Sequence, residues 1–173
     1  MMKDFFKKYY WIFLAALIVI IDQISKLLVS ANMKPYDEIS VIPSFFSIFY
    51  VRNEGVAFGF LSGGGVVSKI AVGLLTSAIV VAAVVILLRG KLQKTIGVVS
   101  AAMIIGGGIG NLIDRIFLHY VIDFFAFTFK NWQFAVFNVA DIFVTVGTVL
   151  FLIYYLFLHK EPKKDAEDAA ALD

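Results

Sequence analysis

Four long apolar runs constrain the fold of this chain more than any other feature of its sequence. They cover roughly residues 10–30, 66–88, 95–113 and 138–158. Each run is long enough to cross about 30 Å of hydrocarbon as an α-helix. Because 61% of the 173 residues are hydrophobic, a water-soluble fold could not bury the apolar surface. We therefore predict a single membrane-embedded domain over residues 1–173, mainly α-helical, with four transmembrane helices.

The basic residues predict the orientation of these helices. Lysines and arginines cluster at the N-terminus, at 89–94 and at 160–164, whereas the two longer connections carry few. The positive-inside rule then places both termini and the middle loop in the cytoplasm. The first run could be a cleaved signal peptide, but it is too long and lacks a small-residue cleavage site, so we expect it to be retained. The alanine-rich, acidic tail 161–173 is predicted to be disordered.

The first long connection differs in composition from the helices. Prolines and glycines punctuate it, and the stretch SFFSIFYVRN is aromatic and β-branched. This pattern favours short strands and turns over another span. We predict a small β-rich outer loop over 40–62, lying on or in the membrane interface.

Most polar residues of the predicted spans fall at one level, near the outer surface. A carboxylate in or beside hydrocarbon is costly, so a chain that retains several there is expected to use them. The residues concerned are Asp22, Gln23, Lys26, Asn111, Asp114, Arg115, Asp123, Asn138 and Asp141.

Asp123 and Asp141 are the strongest catalytic candidates because apolar and aromatic residues flank both, in VIDFF and FNVADIF. Two carboxylates that are close together in a low-dielectric site share one proton. One can then activate a water molecule while the other protonates a carbonyl, as in aspartic proteases. The alternative is structural: Asp141 caps the fourth helix and Asp123 holds a turn.

The remaining polar residues favour structural roles. Asp22 and Lys26 are four residues apart on one helix face, which predicts an ion pair. Asp114 is expected to pair with Lys26 or with Arg52 from another segment. Two asparagines, Asn53 and Asn138, could donate to substrate or could form a turn and a helix cap.

Several other chemistries are excluded. The chain has no cysteine, so thiolate nucleophiles and cysteine metal sites are absent. The glycines of 106–110 are not followed by GK[ST], and they lie inside a span, where they permit close helix approach. Ser25 and Lys26 are neighbours on a helix and face apart. His119 and His159 have no zinc-binding spacing.

Five short patterns stand out when they are read together in their order and spacing. They are DQISK at 22–26, NEGVAF at 53–58, GNLIDR at 110–115, VIDF at 121–124 and FNVAD at 137–141. Together they resemble the patterns of the lipoprotein signal peptidases, the signal peptidase II family of bacteria. The resemblance covers nearly all of the chain from Asp22 to the fourth span.

The resemblance implies an aspartyl endopeptidase of the bacterial inner membrane, with its active site near the outer face. Such enzymes remove the signal peptide of a prolipoprotein and cut before a diacylglyceryl-modified cysteine. The family's catalytic dyad maps to Asp123 and Asp141. Its other motif residues, which support the site and contact substrate, map to Asp22, Lys26, Asn53, Asn111, Asp114, Arg115 and Asn138.

The resemblance also implies an extracytoplasmic β-cradle, which fits 40–62, and an interfacial helical segment, which fits part of 116–134. Neither a metal nor an organic cofactor is expected. The expected partners are lipid-modified prolipoproteins and membrane lipids, with no nucleic acid, and the chain is expected to act as a monomer.

Two other classes of protein remain as alternatives. A proton-coupled transporter would use buried aspartates as a relay, but ionisable groups should then occur at every membrane depth. The inner halves of spans two to four are almost bare of them. A membrane scaffold would use the polar groups only to orient its helices, and it would keep its function if either aspartate became asparagine.

Overall fold

Four long helices and a small antiparallel sheet make up the described part of the chain. The structure, a computed structural model, describes residues 2–54, 65–90, 92, 94–130 and 132–158. In chain order the elements are α1 (Met2–Asn32), β1 (Glu38–Ile42), β2 (Phe46–Asn53), α2 (Gly65–Leu88), α3 (Thr95–Phe117), β3 (Val121–Phe129), β4 (Trp132–Gln133) and α4 (Val139–Ile153), which continues as a π-helical turn (Tyr154–Leu158).

All four helices contain a segment that is long and apolar enough to cross a membrane. The segments are Tyr9–Asn32, Ile70–Leu88, Thr95–Phe117 and Val139–Leu158, with mean hydropathies between 1.9 and 2.8. The prediction of four spanning helices is confirmed. Only the third of these segments is mostly buried within the protein, at 61% against 11–22% for the others. The helix α3 therefore forms the centre of the bundle, and its neighbours present apolar side chains outward.

Three consecutive glycines let the other helices approach α3. A Cβ on Gly106 would lie 2.8 Å from a backbone oxygen of α1, one on Gly107 would meet a carbonyl oxygen of α4, and one on Gly108 would meet a valine of α2. Successive residues of a helix point about 100° apart, so three adjacent positions face three different neighbours. The predicted role of these glycines in close helix packing is confirmed.

The sheet has the order β1-β2-β3-β4, and all neighbouring strands are antiparallel. In the β2–β3 register Val51 pairs with Asp123 and Asn53 pairs with Val121. Because side chains alternate between the two faces of a strand, Asn53 and Asp123 share a face as diagonal neighbours. The register thus brings an amide from the connection between α1 and α2 to a carboxylate from the connection between α3 and α4.

One part of the predicted architecture is wrong. The interfacial helical segment expected within 116–134 is not there: α3 extends to Phe117, and β3 and β4 follow. The run VIDFFAFTF is β-branched and aromatic, residue types that favour strands, and its backbone pairs with β2. Of the predicted outer loop 40–62, residues 55–62 lie outside the described residues, as does the predicted tail 161–173.

Candidate active site

Asp123 lies on β3 with its side chain almost wholly buried, at 2% exposure. Its two oxygens accept hydrogen bonds from two amides that belong to other elements. Asn53 Nδ2 donates to Oδ2 over 2.8 Å, and Asn138 Nδ2 donates to Oδ1 over 2.6 Å. The carboxyl group is therefore held in one orientation from both sides.

Asp141 lies in the first turn of α4 and belongs to a capping box. The Asn138 backbone N–H donates to Asp141 Oδ2 over 3.2 Å, and the Asp141 N–H donates to Asn138 Oδ1 over 2.9 Å. Its other oxygen accepts a 2.7 Å hydrogen bond from Asn111 Nδ2. The structural alternative for Asp141 is thus present in the molecule. The capping interaction uses one carboxylate oxygen of Asp141, and Asp141 still lines the same cavity as Asp123.

Asn138 connects the two aspartates. Its Nδ2 donates both to Asp123 Oδ1 and to Asn111 Oδ1, the latter over 3.1 Å, while its Oδ1 caps α4. The side chain is fully buried, and both of its N–H donors and one lone pair of its oxygen are used. An asparagine in this position fixes the spacing between β3 and the start of α4.

A buried ion cluster underlies the amide layer. Lys26 Nζ lies 2.8 Å from Asp22 Oδ2 and 3.0 Å from Asp114 Oδ2, and it donates to Asn111 Oδ1 over 3.0 Å. These three acceptors match the three protons of an ammonium group. The predicted Asp22–Lys26 pair is present, and of the two partners considered for Asp114 the structure has Lys26.

The two carboxylates of this cluster also hold backbone from distant elements. The Ala140 N–H, at the start of α4, donates to Asp22 Oδ1 over 2.9 Å. The Ile122 N–H, beside Asp123 on β3, donates to Asp114 Oδ2 over 3.0 Å. The ion cluster therefore positions both chain segments that carry the candidate catalytic aspartates.

Gln23 is a member of this cluster that the sequence patterns did not assign to the site. Its Nε2 donates to Asp114 Oδ1 over 3.0 Å, to the Gly110 carbonyl over 3.1 Å and to Asp22 Oδ2 over 3.2 Å. The available signal was its position on α1 next to Asp22. Nothing in the sequence indicated that α3 would pass within reach of it.

Asp123 and Asp141 line one cavity of about 1060 Å³. Arg115 is half-buried at its wall and donates from Nη1 to the Asn111 carbonyl over 3.2 Å. Charged and amide side chains and a larger number of apolar side chains form the wall together. The lining residues are Tyr36, Val51, Arg52, Asn53, Glu54, Arg115, Asp123, Phe134, Ala135, Val136, Phe137, Asp141, Ile142, Val144, Thr145 and Val146.

The pKa of Asp123 is raised to about 7, first by burial and second by the negative charge of Asp141. The hydrogen bonds from Asn53 and Asn138, together with the charge of Lys26, act in the opposite direction. A carboxyl group with this pKa keeps its proton below about pH 7. It can donate a proton while a neighbouring carboxylate accepts one.

No group of three or more histidine, cysteine, aspartate or glutamate side chains in the described ranges is placed to hold a metal ion. Ser25 donates its hydroxyl to the Asp22 carbonyl over 2.7 Å, and the neighbouring Lys26 ammonium has its three acceptors elsewhere. These two residues are therefore not arranged as a serine–lysine nucleophile pair.

Four helices able to span a membrane, with two carboxyl groups on one cavity, define the chain as a polytopic membrane protein. Comparison with known proteins narrows this class. The family model for signal peptidase (SPase) II matches residues 14–157. The chain therefore belongs to the signal peptidase II family.

Individual relatives agree with this assignment. The chain is 39% identical to a lipoprotein signal peptidase of Neisseria meningitidis serogroup C (strain 053442), over 91% of this chain and 95% of the relative. It is 35% identical to that of Clostridium acetobutylicum, over 90% and 98% of the two chains. A solved bacterial membrane enzyme superposes with a TM-score of 0.74 at 32% identity, covering 89% of this chain and 94% of that one.

Proposed function

We propose that this chain is a membrane-embedded aspartyl endopeptidase that removes the signal peptide of diacylglyceryl-modified prolipoproteins, cutting before the lipidated cysteine. The relatives' name, lipoprotein signal peptidase, supports the substrate class. One observation carries the chemistry: Asp123 and Asp141 lie on the same cavity and are joined through Asn138.

In this proposal Asp123 carries the shared proton at the start of the reaction and Asp141 is the base. Asp141 removes a proton from a water molecule as the water oxygen adds to the scissile carbonyl carbon. Asp123 donates its proton to the carbonyl oxygen, which gives a neutral gem-diol. The gem-diol then returns a hydroxyl proton to Asp123, the C–N bond breaks, and the leaving nitrogen takes the proton from Asp141.

The supporting residues hold this geometry. Asn53, Asn111 and Asn138 donate to the two carboxyl groups and fix the direction in which each faces. The ion cluster of Asp22, Lys26 and Asp114 fixes the segments that carry them. Arg115 supplies a positive charge at the cavity wall for a substrate carbonyl or ester oxygen.

The proposed setting is the inner membrane of a bacterium, with both termini cytoplasmic and the active site near the outer face. The basic N-terminus and the Arg89–Lys94 connection support this orientation through the positive-inside rule. The apolar wall of the cavity suits the acyl chains of a substrate that arrives laterally from the lipid. We propose that the chain acts as a monomer in contact with membrane lipids.

The test is a cleavage reaction in detergent with the intact chain and a synthetic prolipoprotein peptide that carries a diacylglyceryl cysteine. Mass spectrometry should show a released signal peptide and a product that begins at the lipidated cysteine. The same peptide without the lipid is the control and should react far more slowly. Cleavage at another bond, or equal cleavage of both peptides, would contradict the proposed specificity.

A further inference from the structure

The segment Phe134–Phe137 runs along β3 on the wall of the candidate active site. At one end, the Phe134 N–H donates to the Phe127 carbonyl over 2.8 Å. At the other end, Phe137 and Phe125 exchange hydrogen bonds of 3.1 and 2.8 Å. The segment is thus held at both ends as an antiparallel neighbour of β3.

Between these two points the segment contains a β-bulge. Phe134 is opposite Phe127 and Phe137 is opposite Phe125, so Ala135 and Val136 together oppose the single residue Ala126. A bulge of this kind disrupts the ladder locally and leaves the extra residue unpaired. Bulges of this type are over-represented next to active sites.

The backbone of the bulge is free to bind another chain. Within the described part of the chain, the N–H and C=O groups of Ala135 and Val136 make no hydrogen bond. Both residues line the cavity that contains Asp123 and Asp141. Backbone groups beside apolar walls need partners when a ligand displaces water from them. The site therefore offers main-chain donors and acceptors beside the catalytic candidates.

We propose that Ala135 and Val136 bind the extended backbone of the substrate next to the scissile bond, by addition of a strand. This inference rests on the proposed peptidase function and adds a binding element to it. An extended peptide bound in this way presents an amide to the two aspartates. Strand addition derives its affinity from main-chain hydrogen bonds, so different signal peptides can bind by the same contacts.

The experiment is an ester scan of the substrate, performed on the wild-type enzyme in detergent. Each lipidated peptide has one backbone N–H near the scissile bond replaced by oxygen. A strand hydrogen-bonds to a given neighbour through every second residue. Esters at alternate positions should therefore lower kcat/KM by roughly fivefold to tenfold, the effect of one lost hydrogen bond, while those between should have little effect.

A variant pair assigns the effect to the bulge. Val136→Pro removes one N–H, and the fixed φ of proline is compatible with extended backbone. In this variant kcat/KM for the all-amide peptide should fall by roughly fivefold to tenfold relative to Val136→Ala, because a substrate carbonyl loses the enzyme N–H that donates to it. Equal kcat/KM of the two folded variants would contradict binding at this N–H. Val136→Ala keeps the N–H and should keep the alternating pattern, whatever its absolute rate. The unfolding midpoint in detergent checks that both variants fold.

Two outcomes separate this inference from the proposed function. If the wild type cleaves the all-amide peptide but the ester scan is flat, strand addition is wrong and the peptidase assignment stands. If no lipidated peptide is cleaved, the peptidase assignment fails and the inference fails with it. Because the scan uses the wild-type chain, it tests whether the substrate backbone binds as an added strand even if Val136→Pro does not fold.

Discussion

At the residue scale, a group that can only donate hydrogen bonds determines how the amide side chains of the site are oriented. The Lys26 ammonium can only donate hydrogen bonds, so the Asn111 atom that faces it must be the oxygen. The Asn111 Nδ2 then points to Asp141, and the same oxygen accepts from Asn138. A buried cation therefore orients a chain of amides that ends at the two candidate catalytic carboxyl groups.

We predict that Asn138→Asp abolishes most of the activity. The new side chain loses both donors and adds a third acid beside Asp123, although aspartate caps a helix as well as asparagine does. We expect kcat/KM to fall by about 100-fold or more, the effect of two lost hydrogen bonds and a like charge. Asn32→Asp, the same change at an exposed position, is the control. Activity within a few-fold of wild type would contradict this role of Asn138.

The pH dependence of cleavage follows from Asp123. Its pKa is raised to about 7, so the residue carries a proton below that pH and loses it above. If Asp123 is the acid, kcat/KM should fall as the pH rises through about 7, since the proton needed by the carbonyl oxygen is then absent. This fall in kcat/KM with pH is a property of the coupled pair of aspartates and not of Asp123 alone. A rate that stays constant from pH 5 to 9 would contradict this assignment.

At the element scale, α3 determines how the bundle packs and where the site forms. Its glycines bring α1 and α4 into backbone contact, and its C-terminal part carries Asn111 and Asp114. The ion cluster then ties α1 to α3, to α4 and to β3. Close packing and catalytic geometry therefore depend on the same helix.

We predict that Gly110→Ala disrupts the site through packing. The added Cβ would lie 2.6 Å from Asp22 Oδ2, so the carboxylate must move away from Lys26. Overpacking of this kind typically costs about 1–3 kcal/mol, and activity should fall with stability. Gly73→Ala on α2 has no atom within 4 Å and should be neutral or slightly stabilising. Unfolding midpoints and cleavage rates in detergent test both, and equal behaviour of the two variants would contradict the packing argument.

The sequence predicted those features that depend on local pattern. Four apolar runs predicted four helices, and the spacing of Asp22 and Lys26 predicted their ion pair. Features that depend on long-range packing were missed or left undecided. The interfacial helical segment that the family resemblance implied for part of 116–134 was wrong, because the pairing of β3 with β2 is visible only in the sheet. Gln23 was left out, because its partners on α3 are set by helix packing.

At the scale of the whole molecule, a mainly apolar exterior surrounds one polar centre. The buried charged and amide side chains in the described ranges gather where α1, α3, β3 and α4 meet. A proton relay would require such groups at several depths of the membrane. A single polar centre beside a large cavity instead suits a reaction that takes place at one depth of the membrane.

The most direct test of the proposed catalytic pair is a gel-shift cleavage assay in detergent with a diacylglyceryl-modified prolipoprotein. Wild type is compared with Asp123→Asn, Asp141→Asn and the control Asp37→Asn, which changes an exposed aspartate in the same way. We predict that wild type and the control release the signal peptide. Both site variants should remain folded and lose at least about 1,000-fold in rate, since each removes one member of the acid–base pair. Normal cleavage by either folded site variant would contradict the proposed catalytic pair.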